Sequence, residues 1–140
     1  QLFTGEGSYN KNFPYIFKNH FQTLAPYEFV SDKYIHLFTY HNFGMLLNNE
    51  GKFTPEVVLH NNVGIGNLSE AENHQIIPFA IKDKAFLETG LELRNILKIN
   101  YLNLVYLGLG AGVFYRYGDN RLPDSEDNFV FKFAASFTFK

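Results

Sequence analysis

From Ile99 to Tyr117 the chain alternates with a period of two and meets no breaker. One parity reads Ile99, Tyr101, Asn103, Val105, Leu107, Leu109, Ala111, Val113, Tyr115 and Tyr117; the other carries Leu104, Tyr106, Gly108, Gly110, Gly112, Phe114 and Arg116. Side chains of an extended strand point to opposite faces in turn, so this pattern predicts a two-faced strand. At ~3.3 Å per residue it would span about 60 Å, well beyond the usual strand of a globular domain. Three glycines on one face imply strong curvature or a crowded interior against that wall. The final stretch repeats the pattern more sharply. Phe129, Phe131, Phe133, Ala135, Phe137 and Phe139 share one face, and Val130, Lys132, Ala134, Ser136, Thr138 and Lys140 the other.

Similar runs precede these. Lys33 to Leu47 is aromatic and β-branched and leads into the turn-like Asn48-Asn49-Glu50-Gly51. Thr54 to Leu68 sets Val57, Leu59, Val63 and Ile65 against Val58, His60, Asn62, Gly64 and Gly66, so these two runs predict a long hairpin. Ala85 to Ile96 sets Leu87, Leu91 and Leu93 against Glu88, Glu92 and Arg94, with a short turn expected at Lys98. Residues 69–83 and 118–128 read as long polar connections. Residues 1–32, broken by Gly5, Gly7, Pro14 and Pro26, form an irregular opening segment with at most a short strand at 15–17 or 21–24. Its aromatic side chains read as packing a loop onto a sheet.

Composition decides which solvent each face expects. Charged residues make up only 19%, against roughly 25% in an ordinary domain. The 16 Phe and 9 Tyr sit opposite Gly, Asn, His and Thr more than Lys and Glu. Long strands, an aromatic face, and connections alternating between short and long together predict an all-β fold, an antiparallel transmembrane β-barrel wall. Five or six long strands are too few to close a membrane barrel, which needs at least eight. Residues 33–140 are therefore expected to be the C-terminal part of a larger outer-membrane β-barrel, completed by missing sequence or a separate chain. In that reading Phe129, Phe131, Phe133, Phe137 and Phe139 face lipid. Glu88, Glu92, Arg94 and Arg116 face the lumen, with Arg94 and Arg116 each meeting a carboxylate or carbonyls. No apolar run approaches the ~20 residues of a membrane helix.

A family resemblance points the same way. Phe21-Gln22-Thr23-Leu24, Tyr27-Glu28-Phe29-Val30-Ser31-Asp32-Lys33-Tyr34 and Tyr40-His41-Asn42-Phe43-Gly44 resemble the late barrel region of the DUF5686 outer-membrane proteins of Bacteroidetes. Those proteins join a carboxypeptidase-regulatory-like domain to a barrel related to the Omp85 family. Glu88-Thr89-Gly90-Leu91-Glu92-Leu93-Arg94-Asn95 and Gly110-Ala111-Gly112-Val113-Phe114-Tyr115-Arg116-Tyr117-Gly118 are similar to further pieces of such barrels. Phe137-Thr138-Phe139-Lys140 resembles a C-terminal insertion signal, apart from its final Lys. The resemblance implies a bacterial outer-membrane location and a non-enzymatic structural, envelope-assembly or transport role, with the lipid bilayer and an envelope protein complex as partners.

Little in the sequence points to chemistry, and neither a catalytic residue, a cofactor nor a metal is expected. Glu88 and Glu92 stand about 13 Å apart along a strand, too far for a glycosidase pair. Arg94, two residues from Glu92, suits an interior salt link. Among His20, His36, His41, His60 and His74 no helical zinc spacing occurs; they read as hydrogen-bonding interior residues, and only His41 and His60 could become cross-strand neighbours and pair on a metal. The acidic run Asp119, Asp124, Glu126 and Asp127 lacks the order of a calcium loop and reads as a solvated surface, with a loose cation site as the alternative. Gly108-x-Gly110-x-Gly112 lies inside a strand, so it is no dinucleotide loop. A net charge of −2 without a basic run excludes a strong nucleic-acid binder. Two alternatives stay open. One is a soluble β-barrel domain binding a small apolar ligand; the other is an outer-membrane enzyme with a loop-borne site using residues such as His74 or Asp124.

Overall fold

A computed structural model describes residues 3–4, 7–46, 53–68, 84–102 and 104–139 of the chain. Two short strands, β1 (Phe3–Thr4) and β2 (Val30–Ser31), pair with each other. Five long strands follow: β3 (Lys33–Met45), β4 (Glu56–Asn67), β5 (Phe86–Tyr101), β6 (Val105–Tyr117) and β7 (Phe129–Phe139). They form one antiparallel sheet in sequence order, β3-β4-β5-β6-β7. Each pair is the product of local alternation and a simple connection, the arrangement that costs the least loop entropy. The acidic connection before β7 ends in a short 3-10 turn at Glu126–Asn128.

The sheet is open. β3 and β7 are its edges and do not pair with each other, which overturns the expected transmembrane barrel wall. What the barrel reading left empty is filled by the chain itself. Residues 7–31 lie across the polar side of the sheet as a strap, and Phe21, Leu24 and Phe29 pack there with Phe86 of β5 into the buried core, flanked by Phe38. The Phe21 ring meets Phe86 edge-on at 4.9 Å and tilts against Phe38 at the same distance. Such contacts add to the burial of the rings themselves. The strap also reaches the outer edge of β7, where Ile16 N–H donates to the Phe133 carbonyl and Phe133 N–H donates to that of Pro14. A sheet whose inner face already holds a core has no lumen to close around, and no missing chain is needed to cover it.

The last turn of the sheet lies elsewhere than expected. β5 runs on through Lys98 to Tyr101, and the chain reverses after it through Leu102 with φ +53°, Leu104 N–H donating to the Tyr101 carbonyl. Asn95, also at φ +53°, sits in an irregularity that lets Leu93 face Ala111 and Leu97 face Leu109. Three residues of β5 thus oppose one of β6, a bulge that turns Asn95 toward the polar side. The glycines of β6 lie under crowded ground. A Cβ on Gly108 would stand 2.2 Å from Asn95 Oδ1, and one on Gly112 would touch Ile16 of the strap. The expected turn at Asn48–Gly51, the connection 69–83 with His74, and Lys140 lie outside the described residues.

Candidate functional site: a covered polar face and an open apolar face

Alternation places Glu88, Gly90 and Glu92 of β5 on one face with His60 and Asn62 of β4, Arg116 of β6 and Lys132 of β7. All four ionisable groups expected to point inward are on this side, with Glu88, Glu92 and Arg116 fully buried and Arg94 partly so. Burying charge is tolerated only where partners replace water. Each group here has them.

Glu88 is the fastening point of the strap. Its carboxylate accepts from the Gln22 and Thr23 backbone N–H groups at 3.0 and 2.7 Å, from the Thr23 hydroxyl at 2.7 Å and from Asn62 Nδ2 at 2.7 Å. Lys132 supplies a second fastening, donating to the Ser8 carbonyl and hydroxyl at 2.8 Å and to Gln22 Oε1 at 3.1 Å. Burial pushes the Lys132 ammonium down from 10.5 to about 8, against the opposing pull of Glu88. Arg116 supplies a third. Its Nη1 stands 2.7 Å from Glu28 Oε1 as an ion pair, its Nε donates to the Asn120 carbonyl, and its guanidinium lies 4.9 Å from the centre of the Phe86 ring.

Further along β5, Glu92 bridges His60 Nε2 at 2.6 Å and Arg94, whose Nε and Nη2 donate at 2.7 and 3.0 Å. Burial alone would raise the Glu92 carboxyl; the His60 hydrogen bond and Arg94 outweigh it and hold it below the usual range. Beside this triad, Arg94, Asn95, Gly108, Ser136 and Lys18 border a cleft of about 330 Å³.

The expected His41–His60 pair does not form. The register sets Tyr40 opposite His60 and Leu59 opposite His41, so the two imidazoles occupy opposite parities. Among the described residues no group of three or more His, Asp or Glu side chains converges as a metal site. Asp124, Glu126 and Asp127 line an exposed surface at the 3-10 turn. Sequence reasoning missed Lys132, Gln22, Thr23 and Glu28 as members of the network, whereas parity already set His60 on the same face as Asn62 as a hydrogen-bonding interior residue. Lys132 left one signal, as a cation set between Val130 and Ala134 on its face; the strap residues left none.

The opposite face is apolar and open. Phe129, Phe131, Phe133, Phe137 and Phe139 are all exposed, Phe131 to 77% and Phe139 to 81%, while Lys132 between them is 1% exposed. Ile35, Leu37, Ile65, Leu91, Leu97 and Ile99 continue the surface across the sheet. This parity carries no Asp, Glu or Arg, and its one Lys, Lys33, stands at the end of β3.

No family model, curated protein or solved structure matches this chain. The resemblance to DUF5686 and Omp85-related barrels is accordingly withdrawn. With the barrel open and the polar side covered by the chain's own strap, the outer-membrane location and the role as a membrane-barrel component fall as well. The bilayer, a barrel-completing chain and an envelope complex lose their support as partners. No helix among the described residues is long and apolar enough to cross a membrane.

Proposed function

We propose that the chain is a non-catalytic β-sheet domain that works by binding an apolar partner on the open face of its five-stranded sheet. One observation carries this reading: the domain is inverted in where it spends its polar groups. Glu88, Glu92, His60, Arg116 and Lys132 are committed to protein partners beneath the strap, whereas the uncharged side chains of β7 and its neighbours stand in the open. An apolar surface of this extent, broken across β3, β4 and β5 by the polar row Thr39, Asn61 and Thr89, marks an interaction site, because leaving its apolar area in water forfeits ~25 cal/mol for each Å². The ionisable groups are consumed in holding the strap or one another, which supports a binding role over catalysis.

Titration with an environment-sensitive apolar fluorophore tests the reading. Saturable binding is expected at low chain concentration. It should weaken at least tenfold in a Phe131→Ser/Phe137→Ser variant and stay unchanged in Lys11→Gln, a substitution on the exposed strap. Binding indifferent to the face variant would refute the reading.

A further inference from the structure

We infer that the occupant of the apolar face is a second copy of this chain, stacked face to face to complete a two-layer β-sandwich. This rests on the apolar-binding reading and identifies its partner. Five strands at ~4.8 Å spacing and about 12 residues at ~3.3 Å rise present roughly 950 Å². A stable protein–protein contact needs about 800 Å² from each partner. The face of one copy therefore suffices to cover the face of another.

Self-complementarity follows from the residues present. A two-fold contact sets the same patch on both sides, so any cluster of like charges would repel itself. Between Ile35 and Phe139 this face offers none. It also has relief. Ala111 stands opposite Phe133 and Ala135 opposite Leu109, so shallow sites lie beside tall rings. Rings of one sheet can enter the alanine sites of the other, as the inner faces of stacked sheets interdigitate at ~10 Å separation. A single sheet covered on one side is half of such an architecture, and a second layer completes it. Edge pairing through β7 is the weaker route, since Pro14 and Ile16 already engage the Phe133 backbone.

Light-scattering mass in detergent-free buffer tests the inference. The wild-type chain is expected at twice 16.2 kDa, with fluorophore emission per chain falling as chain concentration rises. Leu91→Lys, at an exposed position in the central strand, should weaken association at least tenfold while circular dichroism stays unchanged. Tyr27→Lys, on the strap, should leave the dimer intact. If Leu91→Lys fails to fold, Phe131→Glu, at a position exposed to 77%, serves instead and should weaken association in the same way. A wild-type mass of 16.2 kDa at every concentration, or recovery only as a detergent-bound single chain, overturns the inference. So does a dimer indifferent to Leu91→Lys or to a folded Phe131→Glu. If the single chain still binds the fluorophore through the face, the second copy is wrong and the binding reading stands; if it binds none, both fall.

Discussion

Lys132 Nζ, on the last strand, lies 2.8 Å from the Ser8 carbonyl oxygen, closing a contact across 124 residues of chain. The two positions hold opposite ends of the sequence together, and the ammonium sits where water cannot reach it. The burial of this ammonium makes the stability of the fold depend on pH in the alkaline range.

Burial lowers the Lys132 pKa from 10.5 to about 8. Between those values the unfolded chain holds a proton that the folded one has released, so stability should rise with pH across this window. Below about 8 both states are protonated and this contribution is flat. Urea unfolding at pH ~7.5 and ~10 should show the rise in wild type, and Lys132→Met should remove it.

Acid acts through Glu92. Its folded pKa lies below the ordinary 4.5, so its stabilising contribution is present above that value and is lost as pH falls through the lower folded one. Glu92→Gln should cost about 2–3 kcal/mol at neutral pH, the scale of a buried hydrogen bond to a charged group. It should also flatten the acid limb of the stability profile, measured by thermal unfolding between pH ~3 and ~6.

Glu88→Ala should release the strap. Two backbone N–H groups, a hydroxyl and an amide would lose their acceptor in a buried site, at a combined cost of at least ~3 kcal/mol. Hydrogen exchange should accelerate at the Gln22 and Thr23 amides well before the central amides of β5 and β6 respond.

Gly90 is one place where the strands admit no side chain. It faces Phe114 across the β5–β6 pair, and a Cβ there would stand 2.1 Å from Phe114 Cδ1, an atom of a wholly buried ring. Gly90→Ala should destabilise by about 1–3 kcal/mol through overpacking. Phe114→Leu in the same chain should recover part of that loss, as a double-mutant cycle would report.

Three of the five long strands, β3, β4 and β7, begin and end within a few residues of where period-two patterning places them, because alternation is a local property of the pleat. The junction of β5 and β6 does not. Its reversal uses Leu102 at φ +53°, a conformation that a leucine's own preferences disfavour, so neighbouring turn residues gave no reason to look there. The site was legible only in part. Glu88, Glu92, Arg94 and Arg116 share a face by parity, and that much can be counted off. Their partners cannot: Gln22, Thr23 and Glu28 lie in a stretch without periodicity, and Thr23 meets Glu88 across 65 residues. The His41–His60 pairing failed on a register set one residue away from it.

By itself, then, the sequence determined that this chain makes a sheet with one apolar and one polar face, and which side chains share each. The pleat enforces this without reference to anything distant. Only the tertiary structure decided which face the chain covers. Burial of Phe21, Leu24, Phe29 and Phe86, together with carboxylate and ammonium contacts spanning most of the sequence, drew residues 7–31 onto the polar side. Such contacts depend on where distant segments meet in space, and the filled face they create is the physical reason that the sheet remains open with its phenylalanines outward.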